Sequence, residues 1–277
     1  MDTVWELDFY SRPILDEQQK KLWEVLVCDP ERAFEYARFC PSNQVNSGWL
    51  RTTLEEALAE APRAPEKIRF FRRQMNNMIL RACEELNIPA QPSRRTFTLY
   101  QWLQQRTQEV YPTHPGFQPL ATNPVHYEPA PLKPLPDALR GQQWAFVTLE
   151  ASAFRNIDEW AIDFGETFSL PRIGVSETPV PGLVIFSNRA KPLAAWMSGL
   201  ELAFLKFEQS SPPRLVLETG ANDRWLFANL KDPQLQTEAQ GFETAKQQAQ
   251  QVHFLAVQSA PDAESFAGFW LLQELDI

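Results

Sequence analysis

Cysteine and histidine are scarce in this chain. Three cysteines, Cys28, Cys40 and Cys83, occur in 277 residues and none forms a Cys-x-x-Cys pair. That excludes a disulfide scaffold and a zinc ribbon, and each thiol reads as a small buried hydrophobe. The three histidines, His114, His126 and His253, stand far apart without the spacing of a zinc site. The glycine motifs that cradle phosphate in P-loop and dinucleotide-binding proteins are missing, as is the Gly-x-Ser-x-Gly of serine hydrolases. No cofactor, resident metal or catalytic residue is therefore expected. No apolar run approaches the ~18 residues of a membrane-spanning helix. The opening residues carry Asp2 and Glu6 where a signal peptide has a basic region followed by an apolar one. These absences lead to the expectation of a soluble, cytoplasmic protein without a membrane span.

What is present is a globular composition, 44% hydrophobic and 22% charged, with 23 prolines. At about 150 residues per domain the length suggests two. Proline marks the boundary. Eight of the 25 residues from Pro112 to Pro136 are proline, a density that no helix or central strand accommodates. The expected organisation is a domain at 1–111, a linker or strap at 112–136, and a second domain at 137–277. Phe117, Leu120 and Tyr127 are candidates to pin the strap to a neighbour.

Residue periodicity then gives a coarse element order. Trp5, Leu7 and Phe9 alternate with Glu6, Asp8 and Tyr10, the pattern of a half-buried strand broken at Arg12-Pro13. Residues 21–27 and 34–39 read as further strands. Leu50, Leu54 and Leu58 recur as on one helix face behind an Asn46 or Ser47 cap. A strand at 67–72, a helix at 74–86, a short strand and a helix bearing Leu99, Trp102, Leu103 and Val110 follow. The order resembles the ribonuclease-H-like fold. In the second half, strands are expected at 144–149, 160–164, 183–186, 214–218, 224–230, 252–257 and 266–272. Helices are expected from Pro192 and over 238–251, with 203–207 either strand or helix continuation. The expected class is α/β, two mixed-sheet domains.

Charge is uneven. The chain has 26 Lys and Arg against 35 Asp and Glu, net −9, so no global field attracts nucleic acid. Yet residues 63–106 hold nine Arg or Lys and three Glu. Arginine grips phosphate through a planar fork, and aromatic rings stack on bases. Arg69, Phe71, Arg72, Arg73, Arg94, Arg95 and Phe97 are the expected RNA-binding patch. The competing reading makes the aromatics core and the arginines its solvated rim. Arg189 and Lys191, between a strand and a helix start, are a secondary anion site. A metal-dependent nuclease would need Asp8 beside Glu55, Glu56 or Glu60, but Arg72 and Arg73 stand where a further acid is wanted.

Several longer stretches carry a family likeness. WELDFYSRPILDEQQKKLWEVLVCD (5–29), FFRRQMNNMI (70–79), SRRTFTLYQWLQQRTQEVYP (93–112), LPDALRGQQWAFV (135–147), GLVIFSNRAKPLAAWMSGLE (182–201) and ETGANDRWLFANL (218–230) resemble the Tab2/Atab2 family. The resemblance runs over nearly the whole chain. It implies an A/U-rich or single-stranded RNA-binding protein, not an enzyme, that supports translation or biogenesis of photosystem proteins. RNA and translation or assembly factors are the implied partners. The family opening at residue 5 suggests a cyanobacterial member acting in the cytoplasm. The rival readings are a protein–protein adaptor in photosystem assembly and the nuclease.

Overall fold

A computed structural model describes residues 3–119, 130–136 and 141–275. The chain divides into two compact units, residues 1–128 and 129–276.

In the first unit the alternation at the N-terminus becomes β1 (Val4–Leu15), with β2 (Lys21–Cys28), β3 (Glu35–Cys40), β4 (Lys67–Phe70) and β5 (Ala90–Pro92) beside it. The sheet order is β3-β2-β1-β4-β5. β1 pairs antiparallel with β2, and β2 with β3. β4 and β5 run parallel to β1. Because side chains alternate across a strand, one face collects Trp5, Leu7, Phe9, Val25 and Val27. Helices α1 (Ser47–Glu60) and α2 (Asn76–Glu85) cover that face with Leu50, Leu54, Ala57, Ile79 and Ala82. Asn46 caps α1 by accepting from the Trp49 N–H at 2.9 Å, as its side chain suggests. Helix α3 (Phe97–Gln105) continues into a π-turn at Arg106–Val110 and a 3-10 turn at Tyr111–Thr113. Its Leu99 and Trp102 pack with Leu26, Cys28 and Phe71, so it lies on the opposite face from α1 and α2.

Several boundaries differ from the sequence expectations, three of them for a visible physical reason or at the candidate site. β1 runs through Arg12-Pro13, where its register against β2 shifts between Ser11 and Leu15; an irregular pairing tolerates the missing proline donor. β4 ends at Phe70, and a 3-10 turn at Arg73–Met75 precedes α2. In the second unit the helix expected at 238–251 begins at Pro233, because Asp232 caps it by accepting from the Gln234 N–H at 2.8 Å and proline suits a first turn.

That unit holds two sheets. One has the order β7 (Gln143–Leu149), β9 (Val180–Phe186), β13 (Val252–Gln258), β14 (Phe266–Gln273), β8 (Ile162–Glu166). The other has β10 (Leu202–Glu208), β11 (Arg214–Thr219), β12 (Asp223–Asn229) and β6 (Leu132–Pro134). The first sheet joins α4 (Ala190–Ser198), α5 (Pro233–Gln248), β10 and β11 in a core of Leu183, Leu193, Leu205, Leu217, Phe242 and Leu255. Its other face, with Val184, Phe254 and Phe269, packs under Phe154, Leu170 and Ile173. Gly182 is required there, since a Cβ would sit 2.4 Å from the Phe254 ring.

The proline-rich stretch lies against sheets at both described ends. The Gly116 carbonyl accepts from Leu15, and the Gln118 N–H donates to Pro13, at 2.8 and 2.9 Å. Phe117 bridges to Ile14. β6 adds a parallel edge to β12, a position where a strand tolerates proline. Leu120 and Tyr127, named as possible pins, lie outside the described residues.

Candidate nucleic-acid interface

The second face of the first unit's sheet is charged, and it is buried. Glu6, Asp8, Tyr10 and Arg12 project from it along β1, Glu24 from β2 beside Tyr10, and Arg69 from β4 beside Glu6. A solvated strand face would leave these groups in water. Here α3 and the turns after it cover them. The Glu6 carboxylate accepts from the Leu99 N–H at 2.7 Å, in the first turn of α3.

The centre of this layer is a chain of alternating charge. Arg72 donates through Nε to Asp8 Oδ1 at 2.9 Å. Arg12 donates through Nη1 to Asp8 Oδ2 and through Nε to Glu24 Oε2, both at 2.9 Å. Arg106 closes the far end on Glu24 Oε1, and the Tyr111 hydroxyl donates to Glu24 Oε2 at 2.6 Å. Asp8, Glu24 and Arg12 are buried, where an unpaired charge is costly. Burial by itself would raise the Asp8 carboxyl. The charges and hydrogen bonds of Arg12 and Arg72 outweigh it and hold Asp8 below its ordinary 3.8. Burial would likewise depress Arg12, but Asp8, Tyr111 and Glu24 raise it. Burial is also the main cause of the raised Tyr111 phenol. Asp8 is thus held ionised, Arg12 charged and the Tyr111 phenol protonated at neutral pH.

The fold divides the expected RNA patch. Arg69 and Arg95 are only 4% and 3% exposed, and Phe71 and Phe97 are buried. The arginines expected together at the surface, with Phe71 or Phe97 available to stack on bases, are thus separated: sheet and α3 packing turn Arg69, Arg95, Phe71 and Phe97 inward. Phe71 packs with Leu26, Leu99 and Trp102; the Arg95 guanidinium stands 5.5 Å from the Phe97 ring centroid. Arg73 is exposed, and Arg94 and Arg72 are partly so. The structure brings Phe71 and Arg72 together, with Arg72 4.6 Å from the Phe71 centroid.

At the secondary anion site, Arg189 caps α4 and its side chain is exposed. Lys191 pairs with Asp163 at 3.1 Å. Two backbone N–H groups just ahead of the helix are engaged within the protein. Asn188 N–H donates to Gln142 Oε1 at 2.8 Å and Arg189 N–H to Ser187 Oγ at 3.1 Å.

The nuclease arrangement is not formed. Asp8 faces α3 and its arginines, whereas α1 lies on the other side of the sheet, where Glu55 pairs with Arg51 and Glu56 accepts from Tyr36. Among the described residues no group of three or more His, Cys, Asp or Glu side chains could hold a metal ion. The three cysteines are buried, and desolvation pushes Cys40 up to about 11 and Cys83 up to about 12, away from nucleophilic use.

Sequence reasoning did not find Arg12, Glu24, Tyr10, Arg106 and Tyr111 as one group. The available signal was the second face of β1, where four consecutive alternate positions, Glu6, Asp8, Tyr10 and Arg12, carry polar or amphipathic side chains.

Residues 4–106 match a family model described as RNA-binding protein Tab2/Atab2, N-terminal, and residues 122–273 match its C-terminal domain counterpart. The chain belongs to the Tab2/Atab2 family. A chloroplastic TAB2 homolog of Arabidopsis thaliana is 42% identical over 98% of this chain and 74% of its own length. Another, from Zea mays, is 40% identical over 98% and 71%. A solved chain of a simian T-cell lymphotropic virus intasome complex matches 40% of this chain and 39% of its own at 16% identity, with a TM-score of 0.29, too slight to bear on fold or function. The Tab2/Atab2 relatives correct the expected cytoplasmic location, since both are chloroplastic proteins. No described helix is long and apolar enough to cross a membrane.

Proposed function

We propose that this chain is an RNA-binding protein, taking A/U-rich or single-stranded RNA, that supports translation or biogenesis of photosystem proteins without catalysing a reaction. The observation that carries this reading is the match of both units to a family described as RNA-binding. The charged layer supplies compatible chemistry: Arg12, Arg72 and Arg106 stand against Asp8 and Glu24, an excess of positive charge that reaches solvent at Arg72 beside exposed Arg73. Translation or assembly factors are the further partners in this reading. The plastid home of both relatives supports a plastid setting; plant relatives lend no support to the cyanobacterial origin expected from the opening residues. The division into 1–111, a strap at 112–136 and 137–277 belongs to this reading; the two matched segments, 4–106 and 122–273, support two domains, the second match beginning inside the strap. The order β3-β2-β1-β4-β5, antiparallel then parallel, supports reading the first unit as ribonuclease-H-like.

The test is a titration of the full chain with labelled A/U-rich single strands and with duplex RNA of the same length, across several salt concentrations. Binding to the single strands that weakens with salt is the expected result. No binding at low salt would remove the reading. An adaptor that binds another protein is the second reading. It is favoured by half-buried aromatics rimming the second unit's core, Trp144, Trp196, Trp225 and Phe227, in a unit with 11 Lys and Arg against 18 Asp and Glu.

A further inference from the structure

Most arginines of the charged layer are consumed by it. Arg12 spends Nε and Nη1 on two buried carboxylates, Arg106 spends its Nη2 on Glu24, and Arg69 and Arg95 are buried. Arg72 differs. It lies two residues past the end of β4, at the position just before the 3-10 turn that leads into α2. Its Nε is fixed on Asp8, and its guanidinium carbon stands 4.3 Å from the Tyr10 ring centroid and 4.6 Å from that of Phe71. Its side chain nevertheless keeps 24% of its surface in solvent. Its terminal amino groups, Nη1 and Nη2, donate to no described residue. A flexible arginine loses rotamer freedom when it grips a ligand; this one has lost that freedom on folding.

We infer that Arg72 is a pre-set phosphate fork: it meets an RNA phosphodiester in its own plane through the two terminal amino groups, with Asp8 and Tyr10 as positioning residues. The inference rests on the RNA-binding reading and assigns its central contact. With two rings already against the guanidinium, its terminal amino groups are the part left to a ligand, which favours an oxyanion over a stacked base. Exposed Arg73, the next residue, is placed to add charge at a neighbouring phosphate. Asp8 acts through Arg72 and touches no ligand.

The experiment separates fork geometry from charge. Full-length wild type, Arg72→Lys, Arg72→Gln, Asp8→Asn and the control Lys20→Gln, exposed between β1 and β2, are titrated with a labelled A/U-rich single strand over a salt series. Circular dichroism and thermal melts check each fold. Arg72→Lys keeps a cation against Asp8 and loses the fork. It is expected to bind about tenfold more weakly with an unaltered salt slope. Arg72→Gln weakens binding by at least as much and lowers the slope by about 0.7, one phosphate contact. Asp8→Asn weakens binding with the wild-type slope, and Lys20→Gln binds like wild type. Should Arg72→Gln fail to fold, Arg72→Lys decides alone. Wild-type affinity in Arg72→Lys would overturn the fork and leave the RNA reading standing. A wild type that binds no single strand would overturn both. Inorganic phosphate at the concentration at which unlabelled RNA competes should not displace the strand. Displacement would assign Arg72 to the free ion and overturn the strand contact.

Discussion

The two units bury charge in opposite ways. In the first, planar guanidinium groups bridge Asp8 and Glu24 into a chain that ends at partly exposed Arg72. In the second, Lys246 is fully buried, and its ammonium donates to the Leu205 carbonyl at 3.0 Å, to Glu243 at 3.0 Å and to Glu274 at 2.7 Å. Three protons meet three acceptors, so that site is closed. Beside it His253 is also buried. Its Nε2 accepts from the Leu205 N–H at 2.8 Å, and its Nδ1 lies 3.1 Å from the Gln251 carbonyl, which sets the Nδ1–H tautomer. A closed site holds α5 and β13 to β10. An open chain leaves one fork over. The difference teaches that a buried charge network leaves a donor edge toward solvent where the donors outnumber the acceptors.

The strongest way to break this comparison is to cut each network at its middle. Arg12→Met leaves Asp8 and Glu24 buried without their shared cation and is expected to cost about 3–5 kcal/mol. Lys246→Met is expected to cost less, because Glu243 and Glu274 keep some access to water whereas Asp8 and Glu24 have none. Urea unfolding of the full chain, followed by tryptophan fluorescence, compares the two. Equal losses would show that the networks are energetically alike.

A finer contrast comes from pH. Burial, with the nearby Lys246 charge, lowers His253 from 6.5 to about 3. Between those values the unfolded imidazole takes up a proton that the folded one refuses. Stability from His253 is therefore complete above pH 6.5 and falls by about 1.4 kcal/mol per pH unit on acidification. Asp8, lowered from 3.8, contributes stability above that pH and loses it only as pH drops through its lower folded value. The second unit is expected to weaken first on acidification. Unfolding measured from pH 7 to 3 checks this, with His253→Gln expected to flatten the upper part of the profile and Asp8→Asn to leave it unchanged.

The smallest effect belongs to the surface. Lys191 and Asp163 are 72% and 42% exposed, so Lys191→Ala is expected to change stability by less than about 0.5 kcal/mol. A larger loss, seen in the same urea series, would mean that the α4 start carries more than a solvated pair.

Much of the first unit was legible because its signals are local. The alternation of Trp5, Leu7 and Phe9, the Asn46 cap and the four-residue leucine spacing each act within a few residues of themselves. The arginine-rich segment was also visible as composition. Which arginines face water was not, because Arg69 and Arg95 are buried and burial depends on what the rest of the fold lays over them, as β1 brings Glu6 beside Arg69. The second unit was read as one sheet's worth of strands, and the fold builds two. Nothing in the residues 203–207 distinguishes a strand from a helix end; pairing of β10 with β11 decides it.

By itself the sequence determined the family, the α/β character and the surplus of arginine in the first half, since these follow from residue order and composition. Tertiary structure decided that the polar side of β1 is an interior, that Asp8 is an anchor for arginines and not a metal ligand, and that Arg72 keeps a free edge. Those outcomes depend on which side of a sheet α3 comes to cover, and that is settled by contacts nearly a hundred residues apart, such as the Glu6 carboxylate with the Leu99 N–H.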